Sequence, residues 1–245
     1  MRKPVLVLTV GLLAGACKET TYLEPADPGR AYFPAEVGRY RIYQVYDTAW
    51  LNYAPAATAY QVRERLVASD PDAAGQPVFR VESARRTDPN AAWVADSVFT
   101  LSVDARRVVY TRGTRRSVEL VFPVRDTLKW NLSAYANGAA ANAADTTRQY
   151  VKGTNGQPFT LPAVPGYPAR TFPKTLTTKN IGLAAPPANN CERRAYRQVF
   201  AEGIGPVYRR SLNYNFQNTS ASTCDPELGP NLGASHTEVL VEAGP

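Results

Sequence analysis

The chain has a single histidine, His236, three cysteines and one methionine in 245 residues. That scarcity removes whole classes of chemistry. A Ser-His or Cys-His nucleophile, or a zinc site built from several histidines, would have to rest on His236 alone. The sequence contains no GxSxG, HExxH, phosphate-loop or dinucleotide fingerprint. Asp70-Pro71-Asp72 lacks the further regularly spaced oxygen ligands of a calcium loop. No catalytic residue, metal ligand or cofactor is therefore assigned, and His236 is expected to be a partly exposed polar residue beside the final strand. Long hydrophobic runs are also missing. The longest uncharged apolar stretch, Pro4–Leu13, is about ten residues, and a membrane-spanning helix needs roughly twenty.

What that short run does form is a leader. Met1-Arg2-Lys3 is positive, Pro4–Leu13 is apolar, and Ala14-Gly15-Ala16-Cys17 is small up to the cysteine, the order of a secretory signal. Small residues suit the extended backbone that a peptidase must thread. The segment resembles a bacterial lipobox, with Ala14 where leucine is usual and Leu13 one step further out. The resemblance implies a signal peptide over residues 1–16 and lipid attachment at Cys17, so that the partner of the N-terminus is a membrane. Residues 17–31 hold prolines, a glycine and mixed charge without apolar periodicity, and read as a flexible tether. Lys18-Glu19 resembles part of the signal that sends lipoproteins of Bacteroidetes-type bacteria to the outer face of the outer membrane. The expected location is the outer membrane, lipid-anchored, either periplasmic or surface-exposed.

Without the leader, 245 − 16 = 229 residues remain, enough for a proper core, and the formal charge falls by Arg2 and Lys3 from +7 to +5. Arginines outnumber lysines twenty-two to six and are dispersed along the chain, which argues against a nucleic-acid patch. With Cys17 accounted for, Cys191 and Cys224 are left as a pair, either disulfide-bonded or as two free thiols. A bridge across 33 residues would remove about 3–4 kcal/mol of unfolded-state freedom.

The mature sequence has a strand grammar of short Tyr-, Val-, Phe- and Thr-rich runs separated by Pro, Gly, Asn and Asp. It predicts strands at 39–46, 59–68, 77–85, 92–103, 107–112, 117–123, 148–152, 171–177, 196–201, 207–214 and 237–242. In the second run Tyr60, Val62 and Leu66 share one face and Gln61, Arg63 and Arg65 the other, which predicts one buried and one wet side. Asp72–Gly75, Asp104–Arg106 and Gly113 mark tight turns between consecutive strands. Long loops are expected near 134–147, 153–173 and 182–190, where Ala, Asn, Gly and Pro replace large apolar residues. The predicted fold is mainly β, an antiparallel meander forming a curved sheet, half-barrel or open barrel with few helices, in a single domain over 32–245.

Two segments carry a family likeness: Tyr32-Phe33-Pro34-Ala35-Glu36-Val37-Gly38 running on through Val45, and Val199-Phe200-Ala201-Glu202-Gly203-Ile204-Gly205-Pro206-Val207-Tyr208-Arg209. Both resemble a family of uncharacterised Bacteroidetes lipoproteins whose mature domain opens with a YFPLxVGxxWxYxV segment and closes with a YAxGVGLVY hairpin. Trp93, the run Leu120–Val124 and Trp130 fall in the expected order. The resemblance brings no activity. Independently of it, Gly203 and Gly205 permit positive φ between two strands, and Pro206 begins the return strand where no amide donor is needed. The pattern is also similar to the half-barrel sheets of bacterial lipoprotein carriers, at fold level alone.

Acidic residues such as Glu36, Glu64, Glu82, Asp96 and Glu119 are scattered beside arginines and read as solvated cross-strand ion pairs. Tyr40, Tyr43, Tyr46, Trp50 and Tyr53 crowd one stretch, suited either to a ligand-binding concave face or to the rim of an ordinary core. We therefore expect a non-enzymatic envelope binding domain for a protein partner or an apolar ligand. The alternatives are a structural or assembly accessory of an outer-membrane complex and a carboxylate-based hydrolase.

Overall fold

A computed structural model describes residues 29–136, 146–180, 191–220, 223–224 and 229–245. The signal peptide, Cys17, most of the tether and the loop at 182–190 lie outside the described residues, as does the centre of the loop at 134–147. A 3-10 turn, Arg30–Tyr32, precedes β1 (Tyr40–Leu51), β2 (Ala54–Pro71), β3 (Pro77–Arg86), β4 (Val94–Val103), β5 (Arg107–Arg112) and β6 (Arg115–Val121). There follow β7 (Lys129–Asn131), β8 (Thr147–Tyr150), β9 (Gln157–Leu161), β10 (Arg170–Asn180), β11 (Glu192–Ala201), β12 (Gly205–Asn215), β13 (Asn218–Ser220), β14 (Thr223–Cys224) and β15 (Leu232–Gly244). Every predicted strand is present, and the first two are longer than the sequence alternation marked. The loop expected at 153–173 contains β9 and the start of β10, a correction to that expectation.

The main sheet is antiparallel in the order β6-β5-β4-β3-β2-β1-β15-β12-β11-β10-β8-β7, with β9 on β10. It is nearly closed, barrel-shaped with one unsealed seam. The turns that make the meander follow their side chains. Asp72 Oδ1 accepts from the amides of Ala74 and Gln76 at 2.8 and 2.9 Å, and Asp104 Oδ1 from those of Arg106 and Arg107 at 2.6 and 2.9 Å. Between β11 and β12, Gly205 has φ of 99°, and a Cβ there would lie 2.8 Å from the buried Arg41 guanidinium. Glycine is therefore required at this position twice over, by conformation and by space.

The strands that end the order, β6 and β7, meet across the seam. Val118 N donates to Leu132 O at 2.8 Å, and the Trp130 indole donates to Val118 O at 2.8 Å. Tyr150 on β8 reaches Val121, accepting from its amide at 3.2 Å and donating to its carbonyl. Residues from distant strands then meet inside. Phe33, only 1% exposed, lies 6.0 Å from the ring of Tyr110 on β5 and 6.2 Å from that of Phe200 on β11. Leu66, Phe99 and Leu176 complete this apolar end of the interior. The segment after the 3-10 turn thus plugs the barrel, latched by Tyr32, whose hydroxyl donates to Asn155 Oδ1 and accepts from Gly156 N, both at 3.1 Å.

Part of the outer face is covered as well. Val199 and Val239 point opposite to their neighbours Phe200 and Glu238, and Phe159, Leu161 and Phe172 of the β9–β10 hairpin pack on them. This cover overturns the expectation of a wet side at Gln61, which is fully buried. Its amide donates to Gln44 Oε1 and to the Tyr167 hydroxyl, both at 3.3 Å, while Arg86 Nε donates to its Oε1 at 2.8 Å.

Cys191 and Cys224 are bonded, with Cα atoms 5.4 Å apart. The bridge ties the start of β11 to the β13–β14 hairpin that follows β12. Replacing both cysteines by alanine should lower unfolding free energy by about 3–4 kcal/mol in urea titrations of the oxidised protein, the value for constraining a loop of this length. Phe33→Ala should cost about 3–5 kcal/mol in the same assay, because it empties the plug between Tyr110 and Phe200, with Phe33→Leu recovering most of the loss.

Candidate functional site

Along several strands the inward-facing residues change character at one level. On β15 the inward row runs Leu240, Glu238, His236. On β12 it runs Val207, Arg209, Ser211, and on β11 Phe200, Gln198, Tyr196. On β2 Leu66 gives way to Glu64, and on β5 Tyr110 to Arg112. Away from the plug, the barrel therefore carries a buried layer of charge above its apolar layer.

The charges in this layer are partnered. Arg209 Nη1 lies 3.1 Å from Glu238 Oε1 and 3.0 Å from Oε2, and both side chains are 17% exposed. Arg112 reaches Glu64 Oε1 at 3.4 Å, with its guanidinium 4.1 Å from the Phe99 ring centroid and 4.7 Å from that of Tyr110. Arg148 stacks 4.0 Å over Tyr196, whose hydroxyl donates to Gln198 Oε1. Stacking leaves the edge of a guanidinium available for planar acceptors. Burial, with Glu119 adding to it, pushes the Tyr196 phenol up to about 12. Glu64 and Glu119 are 8% and 9% exposed, so the expected solvated ion pairs are corrected at these two positions. Enclosure by the barrel takes them out of water. Glu36 and Glu82 do pair with Arg39 and Arg80 at the surface.

Above the charged layer lies a cavity of about 370 Å³. Arg112, Arg115, Arg116, Arg148 and Arg209 line it, and among the described residues Glu119 is the acidic one in the lining. Arg115 and Arg116 open β6, just after the β5–β6 turn, and are exposed. Arg116 stacks 4.1 Å over Tyr135.

His236 adjoins this cavity through Glu238 and Arg209. Ser211, His236 and Asp47 lie directly across from one another on β12, β15 and β1. The order is that of a nucleophile, base and acid, and Nδ1 does meet Asp47 Oδ1 at 2.6 Å. However, Nε2 is directed along its own strand to Glu238 Oε1 at 2.8 Å. The ring is held between two carboxylates, an arrangement suited to an imidazolium donating from both nitrogens. The bond to Glu238 raises the His236 pKa above 6.5, against the burial that would lower it, and Asp47 adds to the rise. Burial would raise the Glu238 carboxyl, but Arg209 and His236 outweigh it and hold it below 4.5. Beyond His236, the Tyr60 hydroxyl donates to Asp47 Oδ2 at 2.7 Å. Burial first, and then this bond, push Tyr60 to about 12.

The crowded aromatics do not form one surface. Tyr43 is buried inside and donates to Pro206 O at 3.0 Å, whereas Tyr40 bonds Glu242 at an exposed position. Trp50 stands edge-on to Tyr214 at 6.5 Å, near the far ends of the strands. Of the residues singled out from sequence, Cys17 lies outside the described residues, Cys191 and Cys224 sit away from the cavity lining, and His236 lies beside the charged layer. Its partner Asp47 is 189 residues away, so only strand pairing brings the two together.

Comparison with protein families, with curated proteins and with solved structures finds no match to this chain.

The two shifted groups set a pH profile for stability. His236, raised on folding, contributes fully below 6.5 and loses its contribution as pH climbs through its higher folded value. Glu238, lowered on folding, contributes fully above 4.5 and loses its contribution as pH falls through its lower folded value. Thermal melts should therefore show both contributions intact between 4.5 and 6.5 and a falling midpoint above that window. His236→Gln should remove the alkaline decline.

Proposed function

We propose that this chain is a lipid-anchored lipoprotein of the cell envelope whose barrel is a non-enzymatic binding domain, and that its occupant is a compact anion. The observation that carries this reading is the lining of the cavity, which among the described residues sets five arginines against one carboxylate. Among the described residues, these arginines face Glu119 in the lining and Glu64 and Glu238 from behind it. A volume of about 370 Å³ is within the usual range for small-ligand sites. Arginine forks suit planar or tetrahedral oxyanions, which accept two parallel hydrogen bonds from one guanidinium.

An apolar occupant is less well served. The apolar end of the interior is filled by the protein's own side chains, with Leu101, Leu120, Leu176 and Phe200 at 0% exposure, whereas the arginine-lined cavity lies toward the other end. The envelope location rests on the leader and on Cys17, and the Cys191–Cys224 bridge is in keeping with an oxidising compartment.

Calorimetric titration with inorganic sulfate, a dicarboxylate and a neutral sugar of similar size tests the reading. The two dianions should bind, the sugar should not, and binding should weaken with added salt. Arg115→Gln combined with Arg116→Gln, both exposed and therefore mild for the fold, should reduce anion affinity about tenfold. Absence of sulfate binding, or affinity indifferent to the two substitutions, would overturn it.

A further inference from the structure

Arg209 belongs to two systems at once. It lines the cavity, and it is the end of an unbroken chain of contacts: Tyr60 hydroxyl to Asp47, Asp47 to His236, His236 to Glu238, Glu238 to Arg209. Glu238 Oε1 is shared, accepting from His236 Nε2 at 2.8 Å and from Arg209 Nη1 at 3.1 Å. The bond to Glu238 uses Nη1 and leaves Nε and Nη2 for a further acceptor.

We propose that His236 is a proton-operated control on anion binding in the cavity: protonated, it shares the charge of Glu238 and frees Arg209 for the anion, and deprotonated it leaves Glu238 to Arg209 alone. This rests on the cavity being an anion site and adds how that site is regulated.

The direction follows from the hydrogen-bond inventory. A neutral imidazole donates from one nitrogen, so it cannot satisfy Asp47 and Glu238 together. If the proton leaves Nε2, a lone pair faces Glu238 and the carboxylate depends wholly on Arg209. If it leaves Nδ1, the bond to Asp47 is lost, but the layer still has one positive charge fewer. Either way the potential at the cavity falls, and an anion binds more weakly as pH rises.

The surrounding charges do not compete for this role. Asp47 on β1 and Glu238 on β15 touch the ring, and Arg209 and the neutral Ser211 face it from β12. Glu64 on β2, Arg112 on β5 and Glu119 on β6 act on Arg209 and Glu238 from across the interior. Arg85 on β3 lies 4.8 Å over Tyr60, and the phenols of Tyr60 and of Tyr196 on β11 stand at about 12. Histidine is the side chain among these types that ordinarily changes charge near neutrality, and His236 is the one histidine in the chain. Its raised pKa puts the change above 6.5.

The test is calorimetric titration of the full chain with inorganic sulfate, whose own charge is constant over the range, from about pH 6 to about pH 9. Affinity should fall about fivefold or more across the range in the wild type. His236→Gln should bind with the weaker affinity at every pH, and His236→Lys, a fixed cation, should remain near the tighter one. Thermal melts of each variant confirm that it is folded. Sulfate bound equally at all pH values, or a pH dependence that persists in folded His236→Gln, overturns the control while leaving the anion site standing. No sulfate binding by the wild type at any pH overturns the site and the control together.

Discussion

A thirteen-stranded antiparallel sheet encloses an interior only if its outermost strands come together, and here β6 and β7 do so with few backbone bonds between them. Side chains supply much of the joint. Trp130 gives its indole proton to the Val118 carbonyl, and Tyr150 both gives to and takes from the backbone of Val121. Every other interior feature presupposes that meeting. Phe33 can touch Tyr110 and Phe200 together, and Arg209 can feel Glu119, because the sheet has curved until its far walls face each other. The same enclosure lowers the local dielectric, which turns a few carboxylates and guanidiniums into a strongly coupled set.

That set is unlike an ordinary stabilising core. Desolvation of several ions offsets most of their attraction, so a layer of leucines of equal volume would hold the barrel at least as well. Breaking one pair is another matter, since it strands a charge in the interior. The layer therefore makes the fold intolerant of local change without making it much more stable, the usual signature of polar groups kept for what they contact. Its stacked guanidiniums fit this reading. Arg112 over Phe99 and Arg148 over Tyr196 are fixed in orientation by rings that are themselves held in the sheet.

The meander was legible because local chemistry determines it: alternation gave the strands, and Asp72, Asp104, Gly113 and the glycines flanking Ile204 gave the turns. Pairing of Cys191 with Cys224 was legible by arithmetic. The site was not, because its members belong to β1, β2, β5, β6, β8, β11, β12 and β15 and are neighbours only through strand order. Charge alone marks Glu64 and Arg209 as solvent-facing when each strand is read by itself, although alternation puts Glu64 on the Tyr60, Val62 and Leu66 face that the barrel encloses. Gln61 shows the converse, an outward polar residue buried by Tyr167 from a segment that composition marked as loop. β7 and β9 escaped notice for a related reason: three and five residues are too short for periodicity to declare itself.

Among the described residues, the plug formed by Phe33 fills one end of the barrel, and the arginines line a cavity toward the other. Beneath the arginines, the described interior is filled by Phe200, Leu176 and Leu66, which are at most 1% exposed. In the proposed anion site, residence is then set at the arginine end, by how long Arg115 and Arg116 and the buried guanidiniums beneath them hold what arrives.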